Sequence, residues 1–347
     1  MFKKTPDLFD TARIGSAVCV TGYHGGPQAA IPAELNGLPV REIGREAFAG
    51  QTALESVSFP EGLETIRAGA FTGCTALRSV HLPPSVATVE DGAFTRCVSL
   101  TQISVDEHNP YYRSLDGALF DRRGRLLCCY PAGKPETVYE IPLGISGIAP
   151  MAFSWCPALQ DVLMPPGLTW IGESAFAYCV FLRQADVPRG VTEIGPRAFM
   201  GCGRLASVKM PGTVTELGAE AFSGCGQLTE VVFSCMLTRV EDGVFRGCTQ
   251  LGILELPEGL REIGDSAFAG CSSLKTINLP VQLERIGDEA FSGCTSLRVL
   301  EISDNVLRVG NSAFSGCRRL TVIAGRSSAA YQAARRDRVR RRSHARR

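Results

Sequence analysis

Ten cysteines recur at one position of a periodic chain, and thiols in register are the first residues here that could do chemistry. They are Cys74, Cys97, Cys156, Cys179, Cys202, Cys225, Cys248, Cys271, Cys294 and Cys317, spaced by 23 residues except for one interval of 59. Such thiols could bind a metal or relay redox equivalents. Tetrahedral zinc needs four ligands converging on a point, whereas one thiol per repeat gives a line of single sulfurs. No Cys-x-x-Cys pair occurs. The spacing instead describes a small buried residue packed beneath the next repeat, a common place for free cysteine. Reduced thiols are expected, with disulfides between neighbouring repeats as the alternative.

Other catalytic constellations are missing. His24, His81, His108 and His344 are the four histidines, each in a different repeat or end segment. The sequence has no phosphate-binding glycine loop, serine elbow or paired-histidine motif. No catalytic residue, metal ligand or cofactor is expected, and the chain reads as non-enzymatic.

The elements that position the cysteines follow from eleven phenylalanines: Phe48, Phe71, Phe94, Phe153, Phe176, Phe199, Phe222, Phe245, Phe268, Phe291 and Phe314. Counting from each, cysteine stands at +3 in ten of eleven, leucine at +6 in all, and alanine at −1 in ten. Apolar residues follow at +9, +11, +15 and +18, often with proline at +12. The segment Leu274-x-x-Ile277-x-Leu279 alternates as a strand, and Pro280 ends it because proline cannot donate to a ladder. Asp265, Asp288 and Asn311 then read as polar caps before a short helical turn, and glycine at +2 suits a left-handed stop. One strand per ~23 residues cannot bury its own apolar face, but stacked coils can. The expected fold is an α/β repeat of about 12 coils, with a parallel β-sheet on one face and short helical turns opposite.

The unit Leu-x-x-Ile-x-Leu-Pro-x-x-Leu-x-x-Ile-Gly-x-x-Ala-Phe-x-x-Cys resembles the BspA-type, or Treponema-type, bacterial leucine-rich repeat, over roughly residues 31–323. That resemblance implies a right-handed leucine-rich-repeat solenoid. It also implies protein binding, with adhesion to host proteins and bacterial surfaces among the family's roles. The common leucine-rich repeat carries a stacked Asn or Cys just after its strand. Gly62, Ser85, Gly167, Gly190, Thr213 and Gly259 stand there instead, so no asparagine ladder is expected.

The period frames three segments: a capping segment over 1–40, the repeats over 41–323, and a C-terminal cap with a basic tail over 324–347. Val18-Cys19-Val20 reads as a strand shielding the first coil's open edge. An insertion at about 106–138 breaks the period. Within it Ala118-Leu119-Phe120 and Leu126–Tyr130 flank Asp121-Arg122-Arg123-Gly124, which predicts a protruding hairpin.

Three surfaces are candidates for binding. Trp155 and Tyr178 occupy +2, normally glycine; Trp170 and Phe181 fall at +17 and +5, where other coils are polar or small. With Tyr111 and Tyr112 of the insertion they form a candidate interaction patch, unless the insertion folds over and buries them. Positions +8 and +10, on the sheet face, hold no aromatic platform for sugars but carry Asp161, Asp186, Glu230, Glu255 and Glu301, a candidate acidic stripe. From Arg335 to Arg347 eight arginines and one acid leave +7; the chain's net +1 therefore puts −6 on residues 1–334. The basic end reads as a solvated arm, a nucleic-acid contact, or a capping helix starting at Ser327 or Ser328.

The function expected is a protein-interaction scaffold with a protein partner. A surface adhesin and a basic-tailed nucleic-acid-associated protein are the alternatives. No apolar run reaches the ~20 residues of a membrane helix. The polar start after Lys3-Lys4 does not read as a secretory signal, so a cytoplasmic location is expected, with the cell surface or secretion by another route as the alternative.

Overall fold

The computed structural model describes residues 8–343. The first seven residues and the last four, which include His344, Arg346 and Arg347, lie outside it. The chain winds about 14 coils of ~23 residues and divides into two compact units. One holds residues 1–137 and 144–159, the other 138–143 and 160–347.

Each coil contributes two short parallel strands. In the first unit the longer set is Gln28–Ala30, Ser56–Ser58, Ser79–Leu82 and Gln102–Val105, hydrogen-bonded in that order. Register follows the repeat, so Gln102 pairs with Ser79 and Ile103 with Val80. The shorter set runs through Leu38–Ile43, Thr65–Ile66 and Thr88–Val89, at +17 and +18. The second unit repeats this plan, for example with Ser207–Lys209 beside Glu230–Val232 and Glu262–Ile263 beside Arg285–Ile286. Burial alternates as the pleat requires: Ile277 is buried between exposed Thr276 and Asn278.

The phenylalanines fill the core as a stacked file. In the second unit, Phe176, Phe199, Phe222, Phe245, Phe268, Phe291 and Phe314 are fully buried, and neighbouring rings lie 5.1–6.3 Å apart and nearly parallel. Offset stacking at this spacing adds to the burial of each ring.

The expected helical turn is not a helix. The residue at −2 has positive φ, as in Glu46, Arg197, Glu220, Ser266 and Glu289. That twist turns alternate amides toward the next coil. Phe48 N–H donates to Ala70 O and Gly50 N–H to Thr72 O, both at 2.8 Å. Bonds between coils thus replace the i→i+4 bonds a helix would make. The carboxylates taken as helix caps serve the same end: Asp242, Asp265 and Asp288 each accept the backbone N–H one coil on, at 2.7–2.8 Å. Glycine at −4 is a steric consequence, since a Cβ on Gly287 would overlap the Asp265 backbone and carboxylate.

The insertion does not protrude. It forms an antiparallel meander of Tyr112–Leu115, Ala118–Asp121 and Leu126–Cys129, the last also running parallel to Gly147–Ile148. Ala118, Leu119, Phe120 and Leu127 are fully buried. Its last strand delivers Tyr130 to the place of a repeat phenylalanine. Tyr130 lies 23 residues before Phe153, and its ring stacks on that one at 5.0 Å. Asn109 anchors the entry. Fully buried, it donates to Pro83 O and Val86 O and accepts from the Tyr111 and Tyr112 amides, all at 2.8–3.0 Å.

Both ends are capped. Strands Phe9–Ile14 and Ala17–Tyr23 form a hairpin, with Tyr23 stacked 5.0 Å from Phe48. At the other end Ser328 caps the helix Ala329–Arg336, accepting from Tyr331 N–H, and Arg340–Arg342 pairs in parallel with Thr321–Ile323. The basic run is therefore part of the fold as far as Arg342, a helix and then a strand rather than one helix or a free arm.

Candidate interaction surfaces

The cysteine file is a structural device. Cys74 Sγ donates to Phe48 O and Cys97 Sγ to Phe71 O, each at 3.1 Å. In the second unit Cys202, Cys225, Cys248, Cys271, Cys294 and Cys317 each donate to the phenylalanine carbonyl of the coil before, at 2.9–3.2 Å. The thiol thus satisfies a buried carbonyl that no backbone amide reaches. All fourteen cysteines are free thiols. Burial pushes the Cys225 and Cys271 thiols up to about 12, far from the thiolate that metal binding or nucleophilic attack needs.

The described histidines stay apart. His24 pairs with Asp10 at 2.6 Å, His81 with Ser104 at 3.0 Å and His108 with Asp106 at 3.1 Å, each contact on the surface. None shares a site with a buried nucleophile.

The six aromatics do not form one patch within either unit. In the first, Trp155 sits at a left-handed +2 corner with φ 61°, half-buried in a groove with Glu46, Gly50 and Thr72. The Arg96 guanidinium lies 4.3 Å over its ring. Arg96 is itself a non-glycine at +2 with φ 63°, a departure readable in the sequence but overlooked beside its aromatic counterparts. Tyr111 and Tyr112 face elsewhere, into a cavity of about 280 Å³ under the insertion. Tyr111 is 51% exposed; Tyr112 is half-buried, its hydroxyl accepting Val89 N–H at 2.9 Å.

In the second unit Trp170 is half-buried in the strand Trp170–Ile171, opposite Glu193. Tyr178 takes φ 61° at +2, its ring filling the space a side chain on Gly201 would need. Phe181, 38% exposed, is covered by the Arg204 guanidinium at 4.5 Å. Both exposed-ring contacts are cation–π pairs, a geometry that holds a flat ring at the surface.

The acidic residues of the sheet face lie in the second unit. Asp186, Glu230, Glu255 and Glu301 are exposed and Asp161 half-buried. Lys209 approaches Glu230 at 3.9 Å. Between these carboxylates the face carries exposed aliphatics that charge alone does not predict: Val232 at 46%, Ile253 at 67% and Val299 at 51% exposure, with Leu163 further along. Their signal was apolar residues at +8 and +10, positions whose side chains point to solvent. The +17 row is occupied differently, by ion pairs such as Arg285–Glu262 at 2.6 Å and Arg239–Glu262 at 3.6 Å, which tie coil to coil.

At the C-terminal end Arg340, Arg341 and Arg342 are all exposed on the last strand, with Arg341 5.5 Å from the Tyr331 ring. Charge on an edge strand blocks further strand pairing. Among the described residues no helix is long and apolar enough to cross a membrane.

Comparison with known proteins agrees with this architecture. The model of the BspA type leucine rich repeat region matches in six copies, over residues 40–120, 134–252 and 249–331. Among solved structures, a leucine-rich repeat protein from Bacteroides ovatus is 22% identical, with a TM-score of 0.62, covering 97% of this chain and 98% of that one. Another from Eubacterium ventriosum is 19% identical, also with a TM-score of 0.62, covering 84% of this chain and 76% of that one. At these identities the likeness shows the fold alone. No curated protein matches the sequence. With its repeats matched over most of its length, the chain belongs to the BspA-type leucine-rich-repeat family.

Proposed function

We propose that this chain is a non-catalytic protein-binding scaffold and that it recognises its partner on the exposed face of the longer-strand sheet in the second unit. The observation that carries this reading is the pairing of an acid and an aliphatic on one strand after another. Glu230 stands beside Val232, Ile253 beside Glu255, and Val299 beside Glu301, each separated by one buried residue. A merely solvated face has no reason to hold three large aliphatics in water, where each forgoes ~1.5–3 kcal/mol of burial. The partner that fits is an extended or helical segment alternating lysine or arginine with aliphatic residues. Carboxylates steer such a segment in and the aliphatics hold it.

Fluorescence anisotropy with a labelled lysine–leucine peptide tests this. Binding is expected to weaken as salt rises. Glu230→Gln with Glu255→Gln and Glu301→Gln, and separately Ile253→Ser with Val299→Ser, should each weaken it by about tenfold or more. Binding that ignores both sets of substitutions would remove this face from consideration.

A further inference from the structure

The insertion leaves a cavity of about 280 Å³ against the neighbouring coils of the first unit, with room for a molecule of roughly ten non-hydrogen atoms. Its body is apolar and aromatic, with Phe94, Leu126, Tyr112 and Met151 among the lining residues. Its mouth lies at Tyr111, half in solvent, and at Met151. The charge around it is of one sign. Glu90, Asp91 and Asp121 line it, and no lysine, arginine or histidine does.

The carboxylates differ in what already holds them. Glu90 is engaged by the Arg67 guanidinium at 2.9 Å and the Ala68 N–H at 2.8 Å. One oxygen of Asp121 accepts the Arg125 and Leu126 amides at 2.7 Å, which fixes the turn and leaves its second oxygen. Asp91 is exposed at the rim. The negative field is felt inside: after burial, the charge of Asp121 and then of Asp91 helps push the Cys128 thiol up to about 12. Lys134 lies 5.7 Å from the Tyr130 ring, but its ammonium is taken by Asp116 O at 2.6 Å and by Glu136 at 3.5 Å. In the cavity wall the Thr95 hydroxyl is buried with no hydrogen-bond partner, a cost that a bound polar group would relieve.

We infer that this cavity is a binding site for a small organic cation, a primary amine on a flat apolar body, with the ammonium at Asp91 and Asp121 and the body between Tyr111, Tyr112 and Met151. Carboxylates supply the charge and tyrosine faces add cation–π attraction. The cavity exists because the insertion replaces the regular coil at this point and its meander stands off from the file of phenylalanines. An unbroken repeat would close it.

Titration calorimetry of the full chain with 2-phenylethylamine, and with 2-phenylethanol as the uncharged control, tests the site. The amine should bind at one site with a Kd between about 10 µM and 1 mM, and the alcohol about tenfold or more weaker. Asp91→Asn should weaken the amine about fivefold or more while leaving the alcohol unchanged. Ala149→Leu, which fills the cavity, should abolish both in a protein whose circular dichroism is native. An alcohol that binds as well as the amine, amine affinity unmoved by Asp91→Asn, or no heat with the amine up to about 10 mM would each overturn the assignment.

Discussion

Replacing Asn109 with alanine should unfasten the insertion without unfolding the second unit. The side chain is fully buried and makes every hydrogen bond an amide can make, two as donor and two as acceptor. Alanine removes all four and strands two carbonyls and two amides. At ~1 kcal/mol for each net bond the loss is about 4 kcal/mol, and water entering through the adjoining cavity trims it to about 3 kcal/mol. At 1.4 kcal/mol per decade, that is a 100-fold to 1,000-fold loss of amide protection, on the order expected for local opening. Hydrogen exchange read by mass spectrometry should show it in peptides spanning 109–130, with peptides from 200–300 unchanged. Asn109→Asp should be at least as damaging, because it turns a carboxylate toward the Pro83 and Val86 carbonyls. A change of less than about tenfold in 109–130 would mean that the insertion is held by its buried strands and that the asparagine is incidental.

Further outcomes follow from the coil itself. Under denaturing, non-reducing conditions all fourteen cysteines should react with a thiol reagent; fewer than about ten would contradict the free-thiol file. Because burial raises Cys225 and Cys271 from near 9 to about 12, their protonated state favours the fold. Above pH ~9 the unfolded chain releases protons that the folded one keeps, so stability is full below that pH and should fall steadily toward pH 12. A melting temperature flat across that window would refute the buried-thiol assignment. Gly287→Ala drives a Cβ into the Asp265 backbone of the neighbouring coil and should cost about 2 kcal/mol or more in denaturant unfolding, against under 1 kcal/mol for Gly259→Ala, which meets nothing.

The coil was legible in the sequence because its buried positions tolerate few residue types. Phenylalanine, leucine at +6 and cysteine at +3 mark the core in nearly every repeat, and strand alternation placed exposed and buried faces correctly around Ile277. The corner was misread because its left-handed residues hide. Glu46, Arg197, Glu220 and Glu289 are good helix formers by type, and only the inter-coil bonds that their positive φ permits show why they turn. The insertion looked like a projecting hairpin because Tyr130 stands in for phenylalanine, so the resumed register was invisible to a search for Phe. Arginines 340–342 carry no strand signal of their own; the open edge of Thr321–Ile323 makes them a strand.

The departures from the period proved partly informative. Trp155, Tyr178 and Phe181 are surface rings rather than core, but the structure distributes the six aromatics among a groove, a cavity, a strand and two corners. The acids of the sheet face were legible as a row. The aliphatics between them were visible in the same positions and passed over, because an isolated exposed valine or isoleucine is ordinary and only their placement beside each acid makes a surface.

The central claim is that the sheet face of the second unit selects its partner by charge and apolar contact together, and a charge exchange tests it most directly. The triple variant Glu230→Lys, Glu255→Lys and Glu301→Lys should lose the lysine–leucine peptide by about tenfold to 100-fold at low salt. It should gain a glutamate–leucine peptide that the original chain ignores. If the variant holds both peptides as the original does, recognition lies elsewhere on the molecule and the scaffold's face has been misassigned.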